Sequence, residues 1–176
     1  MSSIHIRRYV VHDVQRLYEA ARESINEAYP WLPWCHPEYS VSDAQGWVDS
    51  RDAAWDGGES FEFVIENDSA QFLGGCGLNQ ISPAHRWANL GYWVRTSAAG
   101  RGVATQAVQL LEDWAFRETQ LDRLEIVSSV LNRGSIRVAE KCGAVREGLA
   151  RERLLLHDKR HDAVVFSLLR SDWARR

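Results

Sequence analysis

Between Trp87 and Glu118 the sequence changes its period once. "WANLGYWVR" (Trp87 to Arg95) reads as a strand. "AAGRGVATQAV" then sets two glycines around one arginine, and "VATQAVQLLEDWAFRE" carries Val103, Ala107, Leu110, Leu111 and Trp114 on one helical face. A strand that passes through glycine straight into a helix calls for a crossover.

The rest of the chain supplies the remaining elements. "IHIRRY" (Ile4 to Tyr9) alternates as a strand does. From Asp13, Val14, Leu17, Tyr18, Ala21 and Ile25 repeat at helical spacing, and the helix stops before Pro30. "PWLPWCHP" holds too many prolines for a helix or a central strand, so it is a loop. Ser42 or Asp43 is placed to cap a second helix carrying Ala44, Trp47, Val48 and Ala54, which ends at Gly57 and Gly58. "FEFVIEN" (Phe61 to Asn67) and the glycine-loaded "QFLGGCGLNQI" form a hairpin around Asn67 to Ala70. After the central helix come a strand in "LDRLEIVSSV" and a short helix in "NRGSIRVAEKCG" that stops at Gly143. Two strands close the chain, "AVREGLARERLLL" and "AVVFSLLR", joined by a turn in "HDKRHD". The order is β-α-α-β-β-β-α-β-α-β-β. Helices interleaved with both hairpins and crossovers predict an α/β fold: one mixed sheet covered by helices.

The glycine loop has two readings. A helix start leaves its first N–H groups without internal partners, and the dipole makes that end positive. Glycine lets a ligand approach the backbone closely, so the loop is a candidate anion site. No Asp or Glu follows until Glu112, which leaves the first turn neutral. The spacing matches neither GxxxxGK[ST] nor GxGxxG, since Thr105 holds the third position of the latter. By spacing alone an ordinary strand-to-helix turn is the better explanation.

Composition narrows the classes. A net charge of −3 argues against a broad nucleic-acid surface. No stretch reaches membrane-spanning length, and the N-terminus lacks a signal-peptide core, so the expectation is a cytoplasmic protein with neither membrane nor nucleic-acid partner. Cys35, Cys76 and Cys142 are widely spaced and read as buried thiols. Among the histidines, His157 and His161 lie four apart, but within a turn, and with His85 they read as surface residues; no metal is expected.

Several strings together resemble one family. "WLPW", "GGCGLN", "LGYWV", "GRGVATQAV", "DWAF", "RLEI", "NRGSIRVAEKCGAVREG" and "HDAVVFSLLRSDW" resemble, in order and spacing, the RimJ/RimL-type branch of the GNAT superfamily of N-acetyltransferases. Gly102 and Ala104 match the family's Gln/Arg-x-x-Gly-x-Gly/Ala loop, and Ala99 departs from it. The resemblance implies a single domain over 1–176 with a mixed sheet of about seven strands, the fourth and fifth splayed, flanked by about four helices. It also implies acetyl-CoA as cosubstrate. The pyrophosphate would meet Gly100, Arg101, Gly102, Val103, Ala104 and Thr105, and the pantetheine arm would pair with Tyr92, Trp93 and Val94.

The resemblance further places Asn132 at the pantetheine and Ser135 near the sulfur. On residue chemistry alone Asn132 is a helix cap and Ser135 a tolerated first-turn residue. Lys141 is either a dipole complement or an adenosine contact. The position aligned with a relative's base carboxylate holds Leu154; Glu152, two residues earlier, falls on the same strand face by alternation and is the candidate substitute. Glu147 reads as structural, paired with Arg146 or Arg151. Asn89 stands where many relatives carry Glu. Trp31 and Trp34 are either core cover or a wall of the acceptor site, and Asn79 faces the cleft; Gly74, Gly75 and Gly77 suit a bulge or a close approach. The acceptor expected from the family is a protein N-terminus, with a small amine as the alternative and a non-catalytic acyl-CoA-binding module as the non-enzyme reading. Eight tryptophans leave room for exposed apolar surface and a homodimer.

Overall fold

The computed structural model describes residues 3–176. Strand β1 (Ile4–Arg8) leads into helices α1 (Asp13–Ala28) and α2 (Val41–Asp56). Strands β2 (Phe61–Asn67), β3 (Phe72–Ser82) and β4 (Trp87–Val94) follow, then a 3-10 turn (Thr96–Ala98) and α3 (Val103–Glu118). The chain continues through β5 (Arg123–Ser129), α4 (Arg133–Lys141), β6 (Val145–Leu156), β7 (Lys159–Leu169) and α5 (Arg170–Trp173). The expected element order is therefore borne out, with the 3-10 turn and α5 added.

The strands form one seven-stranded sheet in the order β1-β2-β3-β4-β5-β7-β6. Every pair is antiparallel except β4 and β5, which run parallel. A parallel neighbour requires a crossover, and α3 provides it. One apolar layer lies between the sheet and α3, where Leu111 and Phe116 meet Leu78, Leu90, Leu124 and Phe166. Fully burying such a side chain contributes about 1.5–3 kcal/mol. On the other face α1 and α2 cover a second layer, in which Leu17, Ala21 and Ala44 meet Tyr9, Val64 and Phe72. All three cysteines are buried and free, as expected. No helix among the described residues is long and apolar enough to cross a membrane.

Local chemistry accounts for three departures from the sequence reading. The cap of α2 is Ser40, not Ser42 or Asp43. Asp43 is instead the third helical residue: its carboxylate accepts from Ser40 N at 2.8 Å while its own N–H donates to Ser40 Oγ, a reciprocal capping box. The segment "HDKRHD" is mostly strand. Only His157 and Asp158 turn, both at positive φ (49° and 60°), the geometry of the tight hairpin turn whose twist matches flanking strands. Glu147 pairs with Arg123 at 2.7 Å, across to β5, and not with Arg146 or Arg151.

The β6–β7 turn is tied down. His157 Nε2 lies 2.8 Å from the Tyr29 carbonyl, and the two rings sit 4.2 Å apart. This contact joins the hairpin to the end of α1.

Candidate active site

Strands β4 and β5 pair only at Trp87–Arg123, Ala88–Leu124 and Asn89–Glu125. Beyond Asn89 they diverge, and from Leu90 to Val94 the edge of β4 that faces β5 has no strand partner. The gap opens into a cavity of about 1160 Å³ that reaches both faces of the sheet. Its lining runs from Gly100 and Thr105 through Ser129, Asn132 and Lys141 to Trp31, Trp34 and Tyr39.

At one end stands the start of α3. Gly102 is its N-cap, with φ 81° in the left-handed region, and no side chain caps the helix. Gly100 is also left-handed, at φ 74°, although a Cβ there would meet nothing within 4 Å. Conformation, not crowding, selects glycine at Gly100. The first turn contains no acidic residue. Gly100, Gly102, Val103, Ala104 and Thr105 line the cavity, whereas Arg101 is exposed and lies outside the lining. The arrangement is a positive, uncapped helix end open to an anion.

The start of α4 forms the adjacent wall. Asn132 caps it, its Oδ1 accepting from Ser135 N at 3.1 Å. The Tyr92 hydroxyl lies 3.0 Å from the Ser135 carbonyl and 2.9 Å from Ser135 Oγ. With the tyrosine proton on the carbonyl, the serine hydroxyl donates to the tyrosine oxygen. Burial pushes the Tyr92 hydroxyl up to about 12, against a smaller opposing effect from Ser135. The sequence reading took Tyr92 for its backbone alone; the structure adds its hydroxyl to Ser135. Lys141, in the last turn of α4, also lines the cavity.

The other end is aromatic. Trp34 packs edge-on to Trp93 (5.3 Å between centroids) and to Tyr39 (5.7 Å). Trp93 and Tyr92, being neighbours in a strand, point to opposite faces. The glycines of β3 make room for these groups: a Cβ on Gly75 would sit 2.8 Å from Trp93 Nε1 and from the Tyr9 hydroxyl. Trp31, Trp34 and Asn79 all line the cavity.

Glu152 does not line it. Register shifts between Ala150 and Leu154 mark a bulge, and Glu152 has a positive φ of 50°. The alternation that would align Glu152 with Leu154 is broken there. Glu152 is exposed, its N–H held by Asp162 at 2.8 Å, while Leu154 and Leu156 face the cavity.

The residue the sequence reading missed is Glu62. It faces the cavity from β2, directly opposite Gly77, which is opposite Gly91 on β4. Residues directly opposite in antiparallel strands project to one face. A Cβ on Gly77 would fall 1.9 Å from Glu62 Oε2, so the carboxylate lies over that glycine. Asn89 Nδ2 donates to Asn79 Oδ1 at 2.9 Å, which turns the Asn79 amide nitrogen toward the space over Gly91, beside Glu62. Burial pushes the Glu62 carboxyl up to about 7, with Arg51 and Asn79 opposing. The signal was present: an acidic residue in one strand opposite a run of glycines in its partner. Among the described residues no group of three or more His, Cys, Asp or Glu is placed to hold a metal.

Comparison with known proteins agrees with this geometry. YdaF of Bacillus subtilis is 36% identical over 96 residues, a match spanning 54% of this chain and 52%, about half, of that protein. The ribosomal-protein-serine acetyltransferase of Escherichia coli is 25% identical over 94% of this chain and 92% of its own. The structure of Mycobacterium smegmatis RimJ in complex with CoA-disulfide superposes with a TM-score of 0.89 at 25% identity, covering 96% of this chain and 83% of that one. The model of the acetyltransferase (GNAT) domain matches residues 3–145. Splayed strands, a glycine-led helix and these likenesses agree: the chain belongs to the GNAT acetyltransferase family, in its RimJ/RimL-type branch.

Proposed function

We propose that this protein moves an acetyl group from acetyl-CoA to a primary amine, and that its acceptor is the N-terminal α-amine of a protein. The observation that carries the reading is the uncapped, glycine-led start of α3 opening into the gap between β4 and β5. The N–H groups from Gly100 to Thr105 receive the pyrophosphate. The unpaired edge of β4 at Tyr92, Trp93 and Val94 takes the pantetheine arm as an added strand. Asn132 and Lys141 line the same wall. The Ser135 hydroxyl, by turning from the Tyr92 oxygen, can donate to the departing sulfur while Tyr92 stays on the Ser135 carbonyl.

The acceptor comes from the aromatic side, past Trp31, Trp34 and Asn79. Holding both partners in one continuous cavity supports direct attack in a ternary complex. The name of the Escherichia coli relative supports a protein acceptor. Chemistry favours an α-amine, whose pKa of about 8 leaves it partly neutral, over a lysine at about 10.4.

The test is thiol release from acetyl-CoA in the presence of peptides differing at their first residue, beside a panel of small amines. Release with a subset of peptides is the expected result. Release with small amines alone would move the acceptor to that class. Calorimetry run in parallel reads acetyl-CoA binding itself; no binding and no release would overturn the proposal.

A further inference from the structure

We propose that Glu62 receives the acceptor ammonium and takes its proton, with Asn79 and Asn89 as positioning residues. The proposal rests on the acetyl-transfer reading above. Three carboxylates line the cavity: Glu27, Asp43 and Glu62. Asp43 is engaged in the cap of α2. Glu27 accepts from Thr96 Oγ1 at 2.9 Å and is solvent-exposed in that contact. None of the three is ion-paired, and Glu62 alone is committed neither to a helix cap nor to a neighbouring hydroxyl. The nearest arginine, Arg51, is turned elsewhere: its guanidinium bonds Ser50 Oγ at 2.7 Å and lies 3.7 Å over the Trp47 ring. A half-buried carboxylate without its own counterion suits a cation brought by the substrate.

The space beside it has the right shape. Gly77 and Gly91 carry no side chains, so a lane runs from Glu62 across β3 to β4. A Cβ at Gly91 would meet only Asn79 Nδ2, at 3.8 Å. The lane ends on Gly91, just past Asn89, where β4 leaves β5. It is narrow and flanked by the Tyr9 and Trp93 side chains over Gly75. This suits a primary ammonium on a slim, unbranched stem.

The amide orientations follow from the hydrogen bonds. Asn89 donates to Asn79 Oδ1, which leaves the Asn79 Nδ2 donors free to favour the charged Glu62 carboxylate. Neither asparagine titrates, so the pair fixes the carboxylate without competing for its proton. The titratable and charged neighbours are Arg51 on α2, Tyr9 after β1 and Cys76 on β3. Burial raises Tyr9 and Cys76, so both stay neutral near neutral pH. The ammonium gives one proton to Glu62, which passes it to solvent. The freed nitrogen forms its bond to the acetyl carbonyl carbon, the carbon–sulfur bond breaks, and the second nitrogen proton ends on the CoA sulfur.

The test compares wild type with Glu62→Gln and Asn79→Ala over a pH series, using a peptide acceptor that releases thiol. Glu62→Gln should lose about 10²–10⁴-fold in kcat/KM near pH 7. The gap should close above the amine's own pKa, and acetyl-CoA affinity should stay within twofold by calorimetry. Asn79→Ala should move the acid limb of the profile to higher pH, because it removes a donor to the carboxylate. Independently of any acceptor, the Asn79 side-chain amide signals in NMR should titrate near pH 7 in wild type and not in Glu62→Gln. A Glu62→Gln enzyme with wild-type rate and profile, or an Asn79 amide that does not titrate, would overturn the assignment. Failure of wild type to bind acetyl-CoA would overturn the acetyl-transfer reading, and the base assignment with it.

Discussion

Ser135 serves two partners at once, its N–H held by Asn132 and its hydroxyl by Tyr92. Alanine at this helical position keeps the N–H cap and is a better helix former, so Ser135→Ala separates the two roles. Turnover should fall roughly tenfold to a hundredfold while acetyl-CoA affinity holds; a single-turnover assay beside calorimetry reads both. Equal values in mutant and wild type would make the serine merely structural. Legibility at this scale was uneven, for a physical reason. Asn132 was legible as the cap of one short helix, whereas Ser135 was singled out by the family resemblance. Glu62 was not, because its meaning depends on what lies opposite it across two strands. Glu152 was misplaced because alternation holds only while a strand is regular, and a bulge intervenes.

Among the elements, the start of α3 makes the sharpest prediction. Gly102→Asp puts a carboxylate at the positive helix end proposed to receive the pyrophosphate. A Cβ there would meet only Gln106 Nε2, at 3.8 Å, so space is available, and Asp is among the residues that tolerate left-handed backbone best. The fold should survive, with far-ultraviolet circular dichroism unchanged, while acetyl-CoA affinity falls at least about a hundredfold through like-charge repulsion and a self-capped helix. Unchanged affinity would remove the loop from the site. Elements with a full period of apolar residues, such as α1 and α3, were legible almost to their ends. The four-residue α5 was not, being too short to show a period. The cap of α2 was displaced by two or three residues because the reciprocal bond of Ser40 and Asp43 is settled by backbone geometry.

Over the whole molecule, buried and paired carboxyls pull stability in opposite directions with pH. Arg95, Arg7 and Arg123 hold Glu23, Glu66 and Glu147 at about 2, below the ordinary 4.5. Their contribution is complete above pH 4.5 and is lost as pH falls toward 2. Burial does the reverse to Glu62: raised to about 7, it adds no penalty below 4.5 and its full penalty above 7. That penalty is at most ~3 kcal/mol. The urea midpoint should therefore peak near pH 5 and decline toward pH 8, and Glu62→Gln should flatten the decline; a wild-type midpoint level from pH 5 to 8 would contradict this. The three residue pairs that join β4 to β5 carry a different consequence. They are the sole ladder between a four-stranded and a three-stranded half of the sheet. A cosubstrate lying along the open edge of β4, as proposed, would act as an added strand, and its binding energy would become folding energy, about 2.7 kcal/mol at a hundredfold excess over Kd. A cell short of acetyl-CoA would then hold this chain in its least cohesive form, and proteolysis would make its abundance a record of supply.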